Sequence, residues 1–180
     1  MSEIKLTQRE FNSSFSGGGT YYIVIPSHNE ESLISLTLQS LVEQTVLPTK
    51  IVVVNDNSTD NTEGVVSNFI SKHPFISLVN KTSDAIHLPG SKVIQAFQKG
   101  LESLDENYDF IVKADADLIF PSNYFETIIN HFKSDERIGM AGGFCYIEKN
   151  GDWVLENLTD KDHIRGALKA YRKETFKEIG

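Results

Sequence analysis

A single cysteine, Cys145, is all the thiol this chain carries. One thiol closes no internal disulfide and builds no cysteine zinc site. That scarcity fits a reducing compartment, so the expected location is cytoplasmic. Long apolar runs are missing too. None approaches the roughly 20 residues of a membrane span. Met1–Glu10 is polar and mixed in charge, without the apolar core of a signal peptide. Positive charge is in deficit: Lys and Arg number 17 against 25 Asp and Glu, a formal net charge of −8. Such a chain lacks the concentrated basic surface that nucleic-acid binding needs, so nucleic acid is excluded as a partner. A phosphorylated small molecule is not excluded, given a metal ion or a local cluster to supply positive charge. Internal repeats and low-complexity tracts are also absent.

What is present suffices for one domain. The chain has 180 residues, 39% of them apolar, enough to bury a core. Ser13, Ser14, Ser16 and Gly17 to Gly19 mark residues 1–19 as a flexible lead-in, with room for a short strand or helix near Ile4–Phe11. From residue 20 a rhythm begins. Tyr21–Ile25, closed by Pro26, is a short apolar run, followed by Ile51–Val54, Phe75–Val79 and Tyr108–Val112. Runs this short and this β-branched read as strands buried on both faces.

Helical periods lie between them. Ile34, Leu38, Leu41 and Val42 share one face, as do Val65, Val66, Phe69 and Ile70, with Asp60 and Glu63 spaced as a capping box. Val93, Ile94, Phe97 and Leu101 form a third stripe. Phe125, Ile128, Ile129 and Phe132 form a fourth, opened by Pro121-Ser122. Strand and helix in alternation imply an α/β fold with a mostly parallel sheet flanked by helices. After residue 137, Ile138–Glu148 and Trp153–Glu156 flank Asn150-Gly151, a β-hairpin signal. Asp160–Gly180 reads as a final helical stretch.

In an open parallel sheet, ligands bind beyond the carboxyl ends of the strands. There the sequence places Pro26-Ser27-His28-Asn29-Glu30, then Asn55 to Asp60, then Lys113-Ala114-Asp115-Ala116-Asp117. The last suits a hard divalent cation, Mg²⁺ or Mn²⁺, which would neutralise a diphosphate leaving group. On the residues alone it reads equally as a solvated turn. Asp56 reads as a turn carboxylate, His28 as a lone surface or packing histidine, and Trp153 as hairpin packing. Pro89-Gly90-Ser91-Lys92 opens a helix and brings backbone N–H groups and one ammonium near a phosphate, or is an ordinary helix start. His163 and Arg165 sit near the C-terminal helix, where they could reach a phosphate.

Taken in order, these pieces resemble the N-terminal half of a family 2 glycosyltransferase with the GT-A fold, a Rossmann-like sheet. Ile25-Pro26-Ser27-His28-Asn29-Glu30 resembles the family's Ile-Pro-x-x-Asn-Glu. Val54 to Thr62 resembles its Val-Asp-Asp-Gly-Ser-x-Asp-x-Thr, Gly90–Gly100 its glycine-rich helix, and Lys113-Ala114-Asp115-Ala116-Asp117 its metal-binding Asp-x-Asp. Gly166–Gly180, with Tyr171-Arg172-Lys173, resembles the segment before its acceptor region.

The resemblance implies transfer of a sugar from a nucleotide diphospho-sugar to an acceptor hydroxyl, metal-dependent and inverting, in glycan or polysaccharide synthesis. The acceptor would be a glycan or a lipid-linked molecule, compatible with peripheral association at the inner face of a membrane. Pro26, Ser27 and Asn29 would line the nucleotide pocket, with Glu30 beside it. Asp56 would meet the base, and Lys92 would approach base and phosphate. Asp115 would face ribose and diphosphate, and Asp117, with Asp115, would hold the metal. The carboxylate base is expected beyond Gly180, which makes residues 20–180 an incomplete domain. Asp160 and Asp162 are not assigned as base.

Asn55 replaces the first acid of the usual pair. Asn57 stands where glycine is common, though Asn tolerates positive φ. Ala96-Phe97-Gln98-Lys99-Gly100 lacks the family's arginine. Three rival readings stay open at this point. The chain could bind a nucleotide-sugar without turnover, its base being absent. It could be a haloacid-dehalogenase-type phosphatase, although Ile119 stands where Thr or Val is wanted. It could be a receiver-like signalling module, although the third run ends Val79-Asn80-Lys81 without its acid.

Overall fold

Tyr21 to Ile25 is apolar at every position, and a strand of that kind has to be covered on both faces. It is central in the computed structural model, which describes residues 2–3, 19–82, 91–156 and 163–179. In chain order the elements are β1 (Ser2–Glu3), β2 (Tyr21–Ser27), α1 (Ile34–Val42), β3 (Lys50–Asp56), α2 (Thr62–Ile70), β4 (Ile76–Lys81), α3 (Ser91–Leu101), β5 (Phe110–Ala114), β6 (Leu118–Ile119), α4 (Tyr124–Ser134), β7 (Met140–Ala141), β8 (Tyr146–Lys149), β9 (Asp152–Leu155), β10 (Leu168–Arg172) and α5 (Lys173–Ile179). The main sheet has six strands in the order β4-β3-β2-β5-β10-β7. Its first four strands are parallel, while β10 runs antiparallel to both β5 and β7.

The pleat sends alternate residues into two cores. Ile23, Ile25, Val53 and Val112 meet Leu38, Leu41, Val66, Phe125 and Phe132 on the face covered by α1, α2 and α4. Tyr22, Val24, Val52, Val54 and Ile111 meet Ala96 and Phe97 of α3 on the other. Each fully buried aliphatic side chain contributes about 1.5–3 kcal/mol relative to exposure. Helix α3 comes close because Gly100 has no side chain: a Cβ there would lie 2.4 Å from Val24 Cγ1 and 2.9 Å from Val54 Cγ2. A second sheet, ordered β6-β1-β8-β9, contains the expected hairpin. Asn150 and Gly151 turn it with φ of 55° and 87°, the two positive values a tight primed turn needs.

Several expectations change in detail. Pro26 does not end its strand. Beyond Val24, β2 keeps β3 as partner but no longer pairs with β5, and proline is tolerated where one side of a strand needs no donor. Residues 168–172 are strand, not helix. Leu168 and Ala170 are buried, a period of two. Arg172 secures the strand end by donating to the Phe132 and Ile138 carbonyls at 2.5 and 3.1 Å. Helix follows only at Lys173–Ile179, and residues 157–162 lie outside the described set. Ile138–Glu148 is divided, since β7 belongs to the main sheet and β8 to the second.

In α3, Val93 and Ile94 are 43% and 58% exposed, and Ala96, Phe97 and Gly100 make the packing face instead. The capping box does not form. Asp60 accepts from the N–H of Thr62, two residues on, at 3.0 Å, and Glu63 takes Asn80 at 3.4 Å. Within the lead-in, Ser2–Glu3 pairs with β6 and β8. The expected region Ile4–Phe11 lies outside the described residues.

Candidate functional site

β2 has β3 on one side and β5 on the other. The chain moves outward to β3 and β4, then crosses back to β5, so a topological switch point lies between β2 and β5, where open sheets bind ligands. The segments after β2, β3 and β5 all open at that edge.

Side chains lace the first two segments together. Asn29 and Asn57 hold φ of 56° and 55°, the left-handed region asparagine tolerates. Asn29 Oδ1 accepts from Thr59 N at 2.7 Å, and the Asn29 N–H donates to Ser58 Oγ at 3.0 Å. Thr62 Oγ1 accepts from Glu30 N at 2.8 Å, and Asp60 Oδ2 accepts from Glu31 N at 3.0 Å. Desolvation pushes the Asp60 carboxyl up, but bonds from the Thr62 hydroxyl and the Glu31 and Thr62 amides outweigh it and hold it low. His28 Nδ1 lies 2.6 Å from the Asp56 carbonyl. A carbonyl only accepts, so Nδ1 carries the proton. Asn29 and His28 are thus braces between loops.

Asp56 is only 7% exposed, and both its oxygens lie 3.5 Å from Lys81 Nζ, its register partner on β4. Asn55 donates to Asn80 at 2.9 Å and accepts from Ser58 N at 3.3 Å, a turn role that asparagine fills in place of an acid. Ser27 is 4% exposed, and its Oγ finds no hydrogen-bond partner among the described residues. Leaving a buried hydroxyl so costs about 1–3 kcal/mol, which a ligand could recover.

The turn after β5 is held from beneath. Thr37 Oγ1 donates to the Ala116 carbonyl at 2.6 Å. Ser40 Oγ accepts from Phe120 N at 3.1 Å, while Gln44 donates to the Pro121 carbonyl at 2.7 Å and accepts from Phe125 N at 3.1 Å. These three buried polar residues of α1 and its C-terminal extension escaped the sequence reading. Their signal was there: positions 37, 40 and 44 run beside the apolar stripe of Ile34, Leu38 and Leu41.

Above that support stand Asp115, partly covered, and Asp117, exposed. Lys113 Nζ lies 2.5 Å from Asp115 Oδ1. Burial pushes the Glu30 carboxyl up, and the negative charges of Asp117, Asp60 and Asp115 push it further. Glu30 therefore lies within electrostatic reach of the acidic turn. Burial likewise raises the Cys145 thiol, with Arg165 opposing and Asp115 and Asp117 adding to the rise. Arg165 is ion-paired with Glu156. Lys92 lies in the first turn of α3, and residues 83–90 before it are outside the described set.

Among the described residues no three His, Cys, Asp or Glu side chains converge as a complete metal cage. Two hard carboxylates are a donor set that fits Mg²⁺ or Mn²⁺, since such ions keep water and substrate phosphates in their shell. Among the described residues no helix is long and apolar enough to cross a membrane.

A mostly parallel sheet covered on both faces, with an antiparallel extension, is a GT-A type fold. The match to the glycosyl transferase family 2 model over residues 22–179 makes the assignment particular: the chain belongs to that family. It is 32% identical over 155 residues to the uncharacterized glycosyltransferase MG025 of Mycoplasma genitalium, covering 85% of this chain and 48% of the relative. It is 30% identical to dolichyl-phosphate beta-glucosyltransferase ALG5C of Trichomonas vaginalis, covering 94% and 47%.

Among solved structures, a mannosyltransferase of Pyrobaculum calidifontis in complex with GDP-Man and Mn²⁺ matches with a TM-score of 0.61 at 18% identity, over 94% of this chain and 50% of that one. S. aureus TarS 1–349 in complex with UDP matches with 0.59 at 21% identity, over 88% and 48%. The chain spans about half the length of the curated relatives it matches. The family match sets aside the phosphatase reading. The strand order and the antiparallel β10 set aside the receiver module, whose doubly wound order is 2-1-3-4-5.

Proposed function

We propose that this chain binds the nucleotide diphospho-sugar donor of a glycosyltransferase, which moves the sugar to an acceptor hydroxyl with inversion. One observation carries the reading: the Asp115-Ala116-Asp117 turn stands at the switch point of a family 2 chain, in the same strand-end edge as the orphaned Ser27 hydroxyl and buried Asp56. Asp56, kept beside the Lys81 ammonium, offers acceptor oxygens to an N–H edge of the base. Ser27 offers its hydroxyl to the nucleotide, with Pro26 and Asn29 shaping that wall and Glu30 behind it. Lys92 approaches from α3. Asp117 and Asp115 would hold a Mg²⁺ or Mn²⁺, which when bound supplies charge neutralisation at the diphosphate.

In the transfer, the acceptor oxygen forms its bond to the anomeric carbon as the bond to the diphosphate oxygen breaks. The hydroxyl proton passes to a carboxylate base. No described residue is assigned that base. The acceptor in this reading is a glycan or a lipid-linked molecule met at a membrane surface; the family resemblance and the relative named a dolichyl-phosphate beta-glucosyltransferase support the lipid-linked choice.

Binding is the property to measure before turnover, because the chain covers half of its relatives. Calorimetric titration with UDP, GDP and dTDP, with and without Mn²⁺, is expected to show one preferred nucleotide that needs the metal. Asp117→Ala should weaken that binding by at least about a hundredfold, since even supporting residues of metal sites cost 10–100-fold. Metal-independent binding that Asp117→Ala leaves intact would refute the cation reading.

A further inference from the structure

Asp115 is held by Lys113, a neighbour in the same strand-end stretch to which no role has been given so far. Lys113 Nζ lies 2.5 Å from Asp115 Oδ1 and 2.9 Å from the Gly166 carbonyl. Its side chain is only 15% exposed. A covered ammonium keeps its pull on a partner, whereas an open surface pair loses most of it to water. The register explains its direction. Lys113 stands directly opposite Lys169 of β10, and like charges opposed across two strands repel. Asp115 and the Gly166 carbonyl are the acceptors that draw it away. The Asp115 N–H also donates to the Ala167 carbonyl at 2.8 Å. Main chain and side chain of Asp115 are thus both tied to the segment that enters β10.

We propose that Lys113 is a positioning residue whose ammonium occupies the Asp115 oxygen for which a divalent cation competes, so that this one charge holds down the cation affinity of the acidic turn and links cation uptake to the Gly166 segment. The inference rests on the reading of Asp115 and Asp117 as cation ligands. A cation that takes Asp115 Oδ1 displaces the ammonium, which keeps the Gly166 carbonyl as its remaining described acceptor. Removing the ammonium removes the competitor and leaves the turn one unit more negative.

The test is Mn²⁺ titration of the chain alone, with free Mn²⁺ followed by its electron paramagnetic resonance signal. The proteins are wild type, Lys113→Met, Lys113→Arg, Asp115→Asn and the Lys113→Met/Asp115→Asn double variant. Lys113→Met is expected to bind Mn²⁺ about tenfold more tightly than wild type, the scale of one charge-assisted hydrogen bond. Lys113→Arg, which keeps the charge, should stay near wild type. The gain should vanish in the Asp115→Asn background, because the two residues act through one contact.

Unchanged or weaker affinity in Lys113→Met, or the same gain without Asp115, overturns the inference while wild-type Mn²⁺ binding keeps the cation reading standing. Binding by Lys113→Met where wild type shows none supports it. If no variant binds Mn²⁺, the inference and the cation reading fall together. Should Lys113→Met fail to fold, Lys113→Gln removes the same charge and carries the same expectations.

Discussion

Thr37 is fully buried, and its hydroxyl reaches the backbone between the two aspartates at 2.6 Å. Thr37→Val keeps the shape and removes the donor, leaving the Ala116 carbonyl without that bond. The expected cost is about 1–3 kcal/mol in urea unfolding. Mn²⁺-dependent nucleotide binding should weaken with it, and Thr37→Ser should restore most of both. Glu30 works in another sense. Its carboxyl is raised above the ordinary 4.5 by burial and by the acids around it, so the fold disfavours its ionised form. Its contribution is fully present below the ordinary value and is lost as pH rises through the raised one. Glu30→Gln should therefore flatten that decline and slightly raise the melting temperature at neutral pH, as differential scanning calorimetry at stepped pH would register.

At the level of elements, Gly100→Ala tests the closest helix-to-sheet approach. The added methyl meets Val24 and Val54, and overpacking of this kind costs about 1–3 kcal/mol, read from the shift in urea midpoint. The central strands were legible because each is a short β-branched run, and α1, α2 and α4 because their apolar positions recur at helical spacing. β10 was not. Leu168-Lys169-Ala170-Tyr171-Arg172 is too short and too mixed for its period of two to stand out beside a helical neighbour. Its identity comes from pairing with β5, a contact no local pattern announces.

Val93 and Ile94 misled for a related reason. They share the apolar character of Phe97, but the sheet receives Ala96 and Gly100, small residues that a hydrophobicity pattern underweights. In the candidate site the acidic turn was readable from its motif. The polar side chains of Thr37, Ser40 and Gln44 that shape it were not, because a buried polar residue is recognisable only once its distant carbonyl or amide is in place.

For the whole molecule, the acidic balance of −8 leaves individual ion pairs to decide where acid unfolding begins. One of them ties β2 and β3 to the loop before β5. Asp105 accepts from the Tyr22 hydroxyl at 2.7 Å and from the Asn107 N–H at 2.8 Å, and it pairs with Lys50. The Lys50 bond, then the other two, hold its carboxyl down from 3.8 to about 2. A depressed carboxyl contributes stability above its ordinary value and loses it as pH falls through the lowered one. Asp105→Asn should melt lower at neutral pH. Its stability should also fall less steeply between pH 3.8 and about 2, as circular dichroism melts across that range would show.

The strand order carries one more consequence, for the chain as it is synthesised. Thr20 and Asp109, 89 residues apart, share a hydrogen bond of 2.8 Å at the start of the β2–β5 pairing. β10, made after the other described strands of this sheet, sits between β5 and β7. A nascent chain that has emerged only to residue 160 has already made β5, yet the edge meant for β10 is bare. Such an edge pairs with any extended segment that arrives first. A ribosome stalled in that interval would leave a sticky half-sheet, and slow decoding before residue 168 should favour aggregation over folding.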